Sequence, residues 1–594
     1  MNKIFLFIAL LFSSMLFSQD EDQQRADSYF KDGEFEKALI IYQKLYDQNA
    51  NSSKYLFQLI KTQQQLEQYE IVRKTLLQKV ERIKNPVYLI ELGYNYQLMD
   101  STQLAEKYYN EAILKVDENP SFAYMIASQF EDHSLLDNAI TTYKKAAELN
   151  PEFNFNIQLA RIYGEQGDIE NMFSNYIDYI ETKPDFINTA KRAFSDFVSE
   201  NKDNENNLIL KKLLLKKIQL QPDEYWYDLL SWLFNQEKEF DKAFTQEKAL
   251  YKRNPESLSR IIELAVTTIN EKQYSTAQEI FNYILENTQD IETKLIAHQY
   301  LLEIETTLAT EKDYANIDKK YNALFNQYGK YEQTTGLQLA YGDFLAFNLK
   351  KPEEASNFIK QSLKLKLPAF QEATFKLKLG DILVFQEKFN EALIYYTQIQ
   401  ANLKNSTISQ EARFKVAKTS YYKGDFDWAE TQLKILKSST SQLIANDALD
   451  LKLLISDNKY DDSLHVALKL YAKADLMAFQ NKNDEAISLL DKILTEHKGE
   501  SIEDQALFMQ AQLFEIKKQY DKAIVNYQMI IANYKDDILA DDAYYFLGEL
   551  YNNILAEPEK AKGFYERIIF DHKDSIYFVE ARKKYRMLRG DAIN

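Results

Sequence analysis

Small, aromatic and polar residues alternate along this chain at helical spacing, broken by short polar turns. Between Ala127 and Pro151 a small residue at Ala127 is followed by a ring at Phe130 and a polar turn at Ser134. Leu136, Ala139, Tyr143 and Ala146 then precede the proline. Steps of three and four residues gather each set on one helix face, so the stretch predicts two amphipathic helices joined by a turn. Two antiparallel helices approach closely only where both present small side chains, the role of Ala127 and Ala139, while the rings fill the space toward the next pair. Pro151 ends the second helix. The stretch reads as core and not as the lining of a cofactor site.

The same order returns in GYNYQLMDSTQLAEKYYNEA from Gly93 and in ARIYGEQGDIENMFSNYIDYIETKP from Ala160. The first-helix small residue recurs at Ala26, Gly93, Ala127 and Ala160. The second-helix position falls at Ala38, Val72, Ala105, Ala139 and Met172, in steps of about 33 or 34 residues, a period that signals a solenoid. Further copies keep Phe234, Phe240, Ala243 and Pro255, and then Ala265, Tyr274, Ala277 and Phe281. The pattern fades from Asp185 to Pro222, and residues 290–335 lack a clean copy. The organisation expected is therefore a leader over residues 1–18, an N-terminal array over 19–289, an irregular helical joint over 290–335, and a C-terminal array over 336–594. In the last, the second-helix alanine recurs at Ala355, Ala392, Ala429, Ala486, Ala523 and Ala561, mostly about 37 or 38 residues apart. Longer repeats predict a different curvature. Across the wider step from Ala429 to Ala486 lie the polar turn SSTSQ and a helix with an expected apolar face at Leu449, Leu453 and Leu454, read as a spacer or a contact surface.

Over nearly all of the chain after its leader, these marks resemble the tetratricopeptide repeat. The resemblance implies an all-α fold, a superhelical stack of antiparallel helix pairs in two arrays. The last copies, including IIANYKDDILADDAYYFLGELY and FDHKDSIYFVEARKKYRML, resemble the units of bacterial envelope proteins such as outer-membrane assembly lipoproteins and cell-division coordinators. In such arrays the first helix of each unit lines the concave face where partners lie. By that register Tyr94, Arg161, Trp232, Lys418 and Tyr421 are the expected binding residues, since aromatics and arginine bury large area at low entropic cost. The family's clamp for carboxyl-terminal tails needs lysine and asparagine at positions that here hold Ile90 and Tyr94, Tyr124 and Ser128, and Ile157 and Arg161. That clamp is absent, so chaperone-tail binding is not expected.

Composition agrees with an all-helical chain: 13 glycines and 9 prolines stand against 41 tyrosines and 36 phenylalanines, leaving few residues for sheet turns or glycine-rich loops. A net charge of -18 repels phosphates and argues against nucleic-acid binding. The densest basic segment, Arg582, Lys583, Lys584, Arg586 and Arg589, closes the last helical pattern, where cations suit the helix dipole. The opening MNKIFLFIALLFSSMLFSQ places Lys3 before an apolar run from Ile4 to Phe17, too short to span a bilayer at the ~20 residues a helix needs, and reads as a signal peptide. The chain has no cysteine, hence no disulfide and no acceptor for a lipid anchor. An exported, soluble, periplasmic protein with no transmembrane segment after processing is expected, with secretion or a retained leader as alternatives.

Chemistry is sparse. His133, His298, His465, His497 and His572 are scattered without a metal-ligand spacing, and no nucleophile elbow, phosphate loop or dinucleotide fingerprint is present. Glu500 with Ser501, then Met509 with Gln510, superficially resemble lytic transglycosylase motifs, but the spacing is too short and the glycine before the methionine is missing. No catalytic residue, metal site or cofactor is expected. The function expected is a non-enzymatic protein-interaction scaffold or adaptor of the bacterial cell envelope, binding envelope proteins or peptides and associating with an outer-membrane complex. The alternatives are a glycan-capture protein and a glycan-cleaving enzyme of the cell wall.

Overall fold

The computed structural model describes residues 21–436, 441–459 and 464–591. The leader expected over residues 1–18 and most of the SSTSQ turn lie outside them. Every regular element among the described residues is helical, and none is long and apolar enough to cross a membrane. The chain forms two compact units, one up to Thr268 and one from Ile269. Each is a stack of antiparallel helix pairs, such as Ala123–Asp132 with Leu136–Leu149 in the first and Ala369–Phe385 with Phe389–Asn402 in the second.

The small residues sit where the helices cross. Ala38, Ala139, Ala243, Ala277, Ala355, Ala392, Ala429, Ala486, Ala523 and Ala561 have no exposed surface. At the first-helix position glycine goes further: a Cβ at Gly93 would lie 2.5 Å from the Tyr109 ring, and one at Gly548 2.6 Å from the Tyr565 ring. In several pairs a second-helix tyrosine also closes the pair with a hydrogen bond. Tyr42 donates to Asp27 at 2.5 Å, Tyr109 to Gln97 at 2.8 Å, and Tyr143 to Glu131 at 3.1 Å. In the second unit Tyr396 donates to Asp381 at 2.7 Å, Tyr527 to Glu515 at 2.5 Å, and Tyr565 to Glu549 at 2.6 Å. Each buried phenol thus finds an acceptor while its ring fills the hollow beside a small residue.

The turn inside a pair uses one residue in the left-handed conformation, which is Gly167 or Gly424 in some repeats and Glu67, Asp100, Ser134, Lys238, Glu387 or Lys518 in others. A side chain there costs energy that glycine avoids. Lys518 has φ 57° and its backbone N–H closes the first helix on Glu515 O at 2.8 Å. Lys518→Gly should raise stability by about 0.5–1 kcal/mol, read as a higher urea midpoint; an unchanged or lower midpoint would show that the turn carries no strain.

Where the sequence pattern fades, the pairs continue by other means. Helix Ile187–Ser195 is short, and the loop to helix Glu205–Leu220 is held by buried Asn207, whose amide donates to Ser199 O at 2.8 Å and to Glu237 Oε1 at 3.2 Å. Over residues 290–335 the helices Ile291–Leu308 and Tyr314–Tyr328 contribute Leu295, Leu302, Ile317, Tyr321 and Phe325 to the core of the second unit. The wide step after Ala429 holds an additional helix, Gln442–Asn458. Its buried face is Ala448, Leu451 and Ile455, whereas Leu449 is exposed. The expected face of Leu449, Leu453 and Leu454 is therefore rotated, because the helix packs chiefly on its neighbour Phe426–Leu436 and is not the start of a regular pair.

Candidate partner-binding face

First helices of successive pairs pack side by side, and their charged residues are largely committed to one another. In the first unit Arg161 pairs with Glu131, while Lys191, at 2.7 Å, and Arg260 both pair with Asp228. In the second, Lys378 reaches Asp343 at 2.5 Å, Lys415 reaches Asp381 at 3.1 Å, and Lys584 reaches Glu549 at 2.5 Å. Each bridge joins a residue of one repeat to the next. The basic segment of the last helix, Phe578–Arg589, is partly consumed in this way, with Arg589 also paired to Asp591.

The five residues read from register have different fates. Tyr94 is partly buried and stacks on His133 at 3.9 Å between ring centroids. His133 Nε2 lies 2.7 Å from Glu91 Oε1, which also accepts from Gln129 at 2.7 Å, so the ring is held by a buried carboxylate. Arg161 is exposed on the face. Trp232 is partly buried against Phe194 and lines a cleft of about 220 Å³ with Lys191, Asp228, Asn235 and Arg260. Lys418 pairs with Asp475 at 2.5 Å and lies over the Tyr421 and Tyr422 rings. Tyr421 itself has no exposed surface. It was expected to face a partner, but helix Val466–Phe479 packs across helix Thr407–Lys423 and covers it, a contact no repeat register foretells.

A groove of about 430 Å³ on this face is lined by Tyr124, Ser128, Glu131, Ile157, Arg161 and Glu165 among others. Four of these occupy the places where the family's clamp residues would stand. Tyr124 is 60% exposed and offers an unburied ring, beside the three carboxylates of Glu131, Asp132 and Glu165 and one guanidinium. The groove is thus mixed in charge, and its acidic excess suits a partner carrying a cation. Sequence register singled out Arg161 here but passed over Tyr124 and Glu131; the mismatch to the clamp was the signal for Tyr124. Because the Arg161–Glu131 pair is solvent-exposed on the arginine side, Arg161→Ala should change stability by less than about 1 kcal/mol, checked by urea denaturation; a larger loss would make Arg161 a structural residue.

The residues of the Glu500 motif are held by hydrogen bonds to their neighbours. Glu500 Oε1 lies 2.7 Å from His497 Nδ1, and the Ser501 hydroxyl donates to Asn458 Oδ1 at 2.8 Å. Gln510 is buried, donating to Asp491 at 2.7 Å and accepting from Asn526 at 2.9 Å. Among the described residues no three histidine, aspartate or glutamate side chains are grouped to hold a metal ion.

Two acids near the end of the second unit titrate late. Asp504 and Asp542 are each pushed up to about 6 by burial first, then by carboxylates including Asp537 and Asp457 for the former and Asp541 and Asp450 for the latter. Their folded values lie above the ordinary ~3.9 of aspartate, so the folded chain holds more protons than the unfolded one between about pH 4 and 6, and stability falls as pH rises through that window. The double variant Asp504→Asn with Asp542→Asn should melt higher than the parent at about pH 7.5 and lose that advantage near pH 4.5. Equal gains at both pH values, followed by circular dichroism, would assign the effect to packing.

Two stretches, residues 23–52 and 505–537, match the family model of the tetratricopeptide repeat. The first covers the opening helix pair and the second most of helices Glu503–Ile516 and Tyr520–Asn533. No curated protein matches the sequence. Among solved structures, the chain aligns with the APC/C hetero-tetramer Cut9–Hcn1 at 12% identity over 96% of both chains, with a TM-score of 0.25. It aligns with Naa15/Naa10 bound to HypK-THB at 12% identity over 96% of this chain and 92% of that one, TM-score 0.27. Yeast Tom70 aligns at 16% identity over 82% and 97%, TM-score 0.27.

Proposed function

We propose that this chain, a carrier of tetratricopeptide repeats, is a non-enzymatic protein-interaction scaffold of the bacterial cell envelope that binds its partners on the first-helix face. The observation that carries the reading is the groove of Tyr124, Ser128, Glu131, Ile157 and Arg161. It is an open, mixed-charge surface at the positions from which a tetratricopeptide array usually holds a peptide, fitted with an exposed ring as anchor. Tyr94 and Trp232 extend the same face to either side. The envelope setting rests on the leader pattern from Lys3 to Phe17 and on the resemblance of the last copies to envelope repeat units. A periplasmic location and attachment to an outer-membrane complex complete the proposal.

The test is crosslinked affinity capture of the tagged full chain from intact envelopes, with mass spectrometry of the retained material. A stoichiometric protein partner, lost when Tyr124→Ala and Arg161→Glu are combined, is the expected result. Retention of cell-wall fragments without any protein partner would overturn it.

A further inference from the structure

Helices Ile291–Leu308 and Thr335–Asp343 pack together in the second unit and leave a cleft of about 280 Å³ between them. Its polar wall comes from the first helix, with Gln299, Glu303 and Thr306. Leu339, Ala340 and Asp343 form the other side, and Lys378 closes one edge. Gly336 lines the same cleft, and a Cβ there would overlap Gln299 Oε1, the far end of a flexible side chain. With that space open, Gln299 Nε2 donates to Glu303 Oε1 at 3.0 Å and orients the carboxylate.

The charge in the cleft does not balance. Lys378 is committed to Asp343 at 2.5 Å, and Glu303 has no cation within ion-pair distance among the described residues. Two carboxylates and one ammonium leave a single negative charge. Burial raises the Glu303 pKa, Asp343 adds to the rise, and Lys378 opposes it. Thr306 Oγ1 is buried beside the Tyr321 phenol without a hydrogen bond of good geometry. One monovalent donor with several N–H groups would neutralise the site and donate to the Glu303 oxygen that Gln299 does not occupy and to Thr306 Oγ1. Leu339 and Ala340 suit the methylene stem of such a donor. A guanidinium asks for both carboxylate oxygens in one plane, and Gln299 already occupies one of them.

We infer that this cleft binds a primary ammonium group, presented as a lysine side chain by a protein partner. The inference rests on the scaffold reading for the source of the lysine, not for the chemistry of the cleft.

The test titrates Nα-acetyl-lysine N-methylamide into the methyl-labelled full chain and follows the Leu339 methyl signals by NMR, with the norleucine analogue and cadaverine as comparisons. The lysine derivative should shift Leu339 where the norleucine analogue does not. Glu303→Gln should weaken it about tenfold or more, whereas Glu305→Gln, on the same helix but paired with Lys320, should leave it unchanged. Binding should strengthen as pH rises through the raised Glu303 pKa, in a cleft where Glu303 faces Asp343, Lys378, Tyr300 and Tyr321. Equal shifts by lysine and norleucine derivatives, or an unaltered Glu303→Gln titration in a protein of parental helicity, would overturn the site. Binding of cadaverine alone would overturn the partner lysine in favour of a free amine. If the lysine derivative binds normally and envelope capture retains no protein, the scaffold reading fails and the ammonium site stands.

Discussion

Replacing Tyr396 by alanine should destabilise the second unit by about 3–5 kcal/mol, the range for removing a fully buried aromatic side chain. Tyr396 has no exposed surface, and its ring fills the hollow over Gly380, where a Cβ would overlap it. Its phenol donates to Asp381 at 2.7 Å. Burial first, then Asp381, raises the phenol pKa well above its ordinary value, so the group stays a donor throughout the working range. Tyr396→Phe removes only the hydrogen bond and should cost about 1–2 kcal/mol. Gly380→Leu overpacks the same contact and should cost about 1–3 kcal/mol or more. The double variant Gly380→Leu with Tyr396→Ala should be less damaged than the sum, since the new side chain enters the vacated space. Urea denaturation of the full chain measures all four. Additive losses would show that the glycine and the ring do not share one cavity.

His133→Ala should be comparably harmful to the first unit, about 3–5 kcal/mol, because it strips a buried carboxylate of one of its two hydrogen-bond partners. Glu91 has 1% of its surface exposed, and its second oxygen already lacks a hydrogen bond. After the substitution only the Gln129 amide would remain on the other oxygen. Tyr94 would lose its stacking partner as well. Replacing both members, Glu91→Leu with His133→Leu, should recover most of the loss, since removing a buried pair is far less costly than leaving one charge behind. A double variant as unstable as the single one would mean that the pair also orders the surrounding helices in a way that apolar side chains cannot.

Much of the architecture was legible in the sequence because it depends on positions that repeat. The alanines at Ala139, Ala243, Ala392 and Ala523 announced the helix crossings, and all of them are buried. What escaped was structure made by hydrogen bonds or by contacts outside the repeat period. Asn207 holds its loop through backbone carbonyls, and an asparagine in a polar stretch carries no periodic signal. The buried face of Gln442–Asn458 depends on which neighbour it meets, so the apolar residues Leu449 and Leu453 gave a misleading rotation. Tyr421 shows the same limit for the binding face: register placed it on the first-helix surface, but a helix from beyond the additional element covers it. The cleft at Glu303 was missed because its residues come from the stretch with no clean repeat, and a lone carboxylate among 90 acidic residues draws no attention.

The bridges between first helices carry a consequence for how such a chain changes over time. Arg161 and Glu131 are 30 positions apart, Lys378 and Asp343 35, Lys415 and Asp381 34, and Lys584 and Glu549 35. A substitution that reverses one charge is therefore compensated one repeat away, and related sequences should show paired exchanges at that separation and not between adjacent positions. Duplication or loss of a whole repeat preserves the spacing of every remaining charge, whereas an insertion inside a pair moves one partner away from the other. The unit that lineages can gain or lose without penalty is then set by the reach of a lysine side chain as much as by the helices that present it.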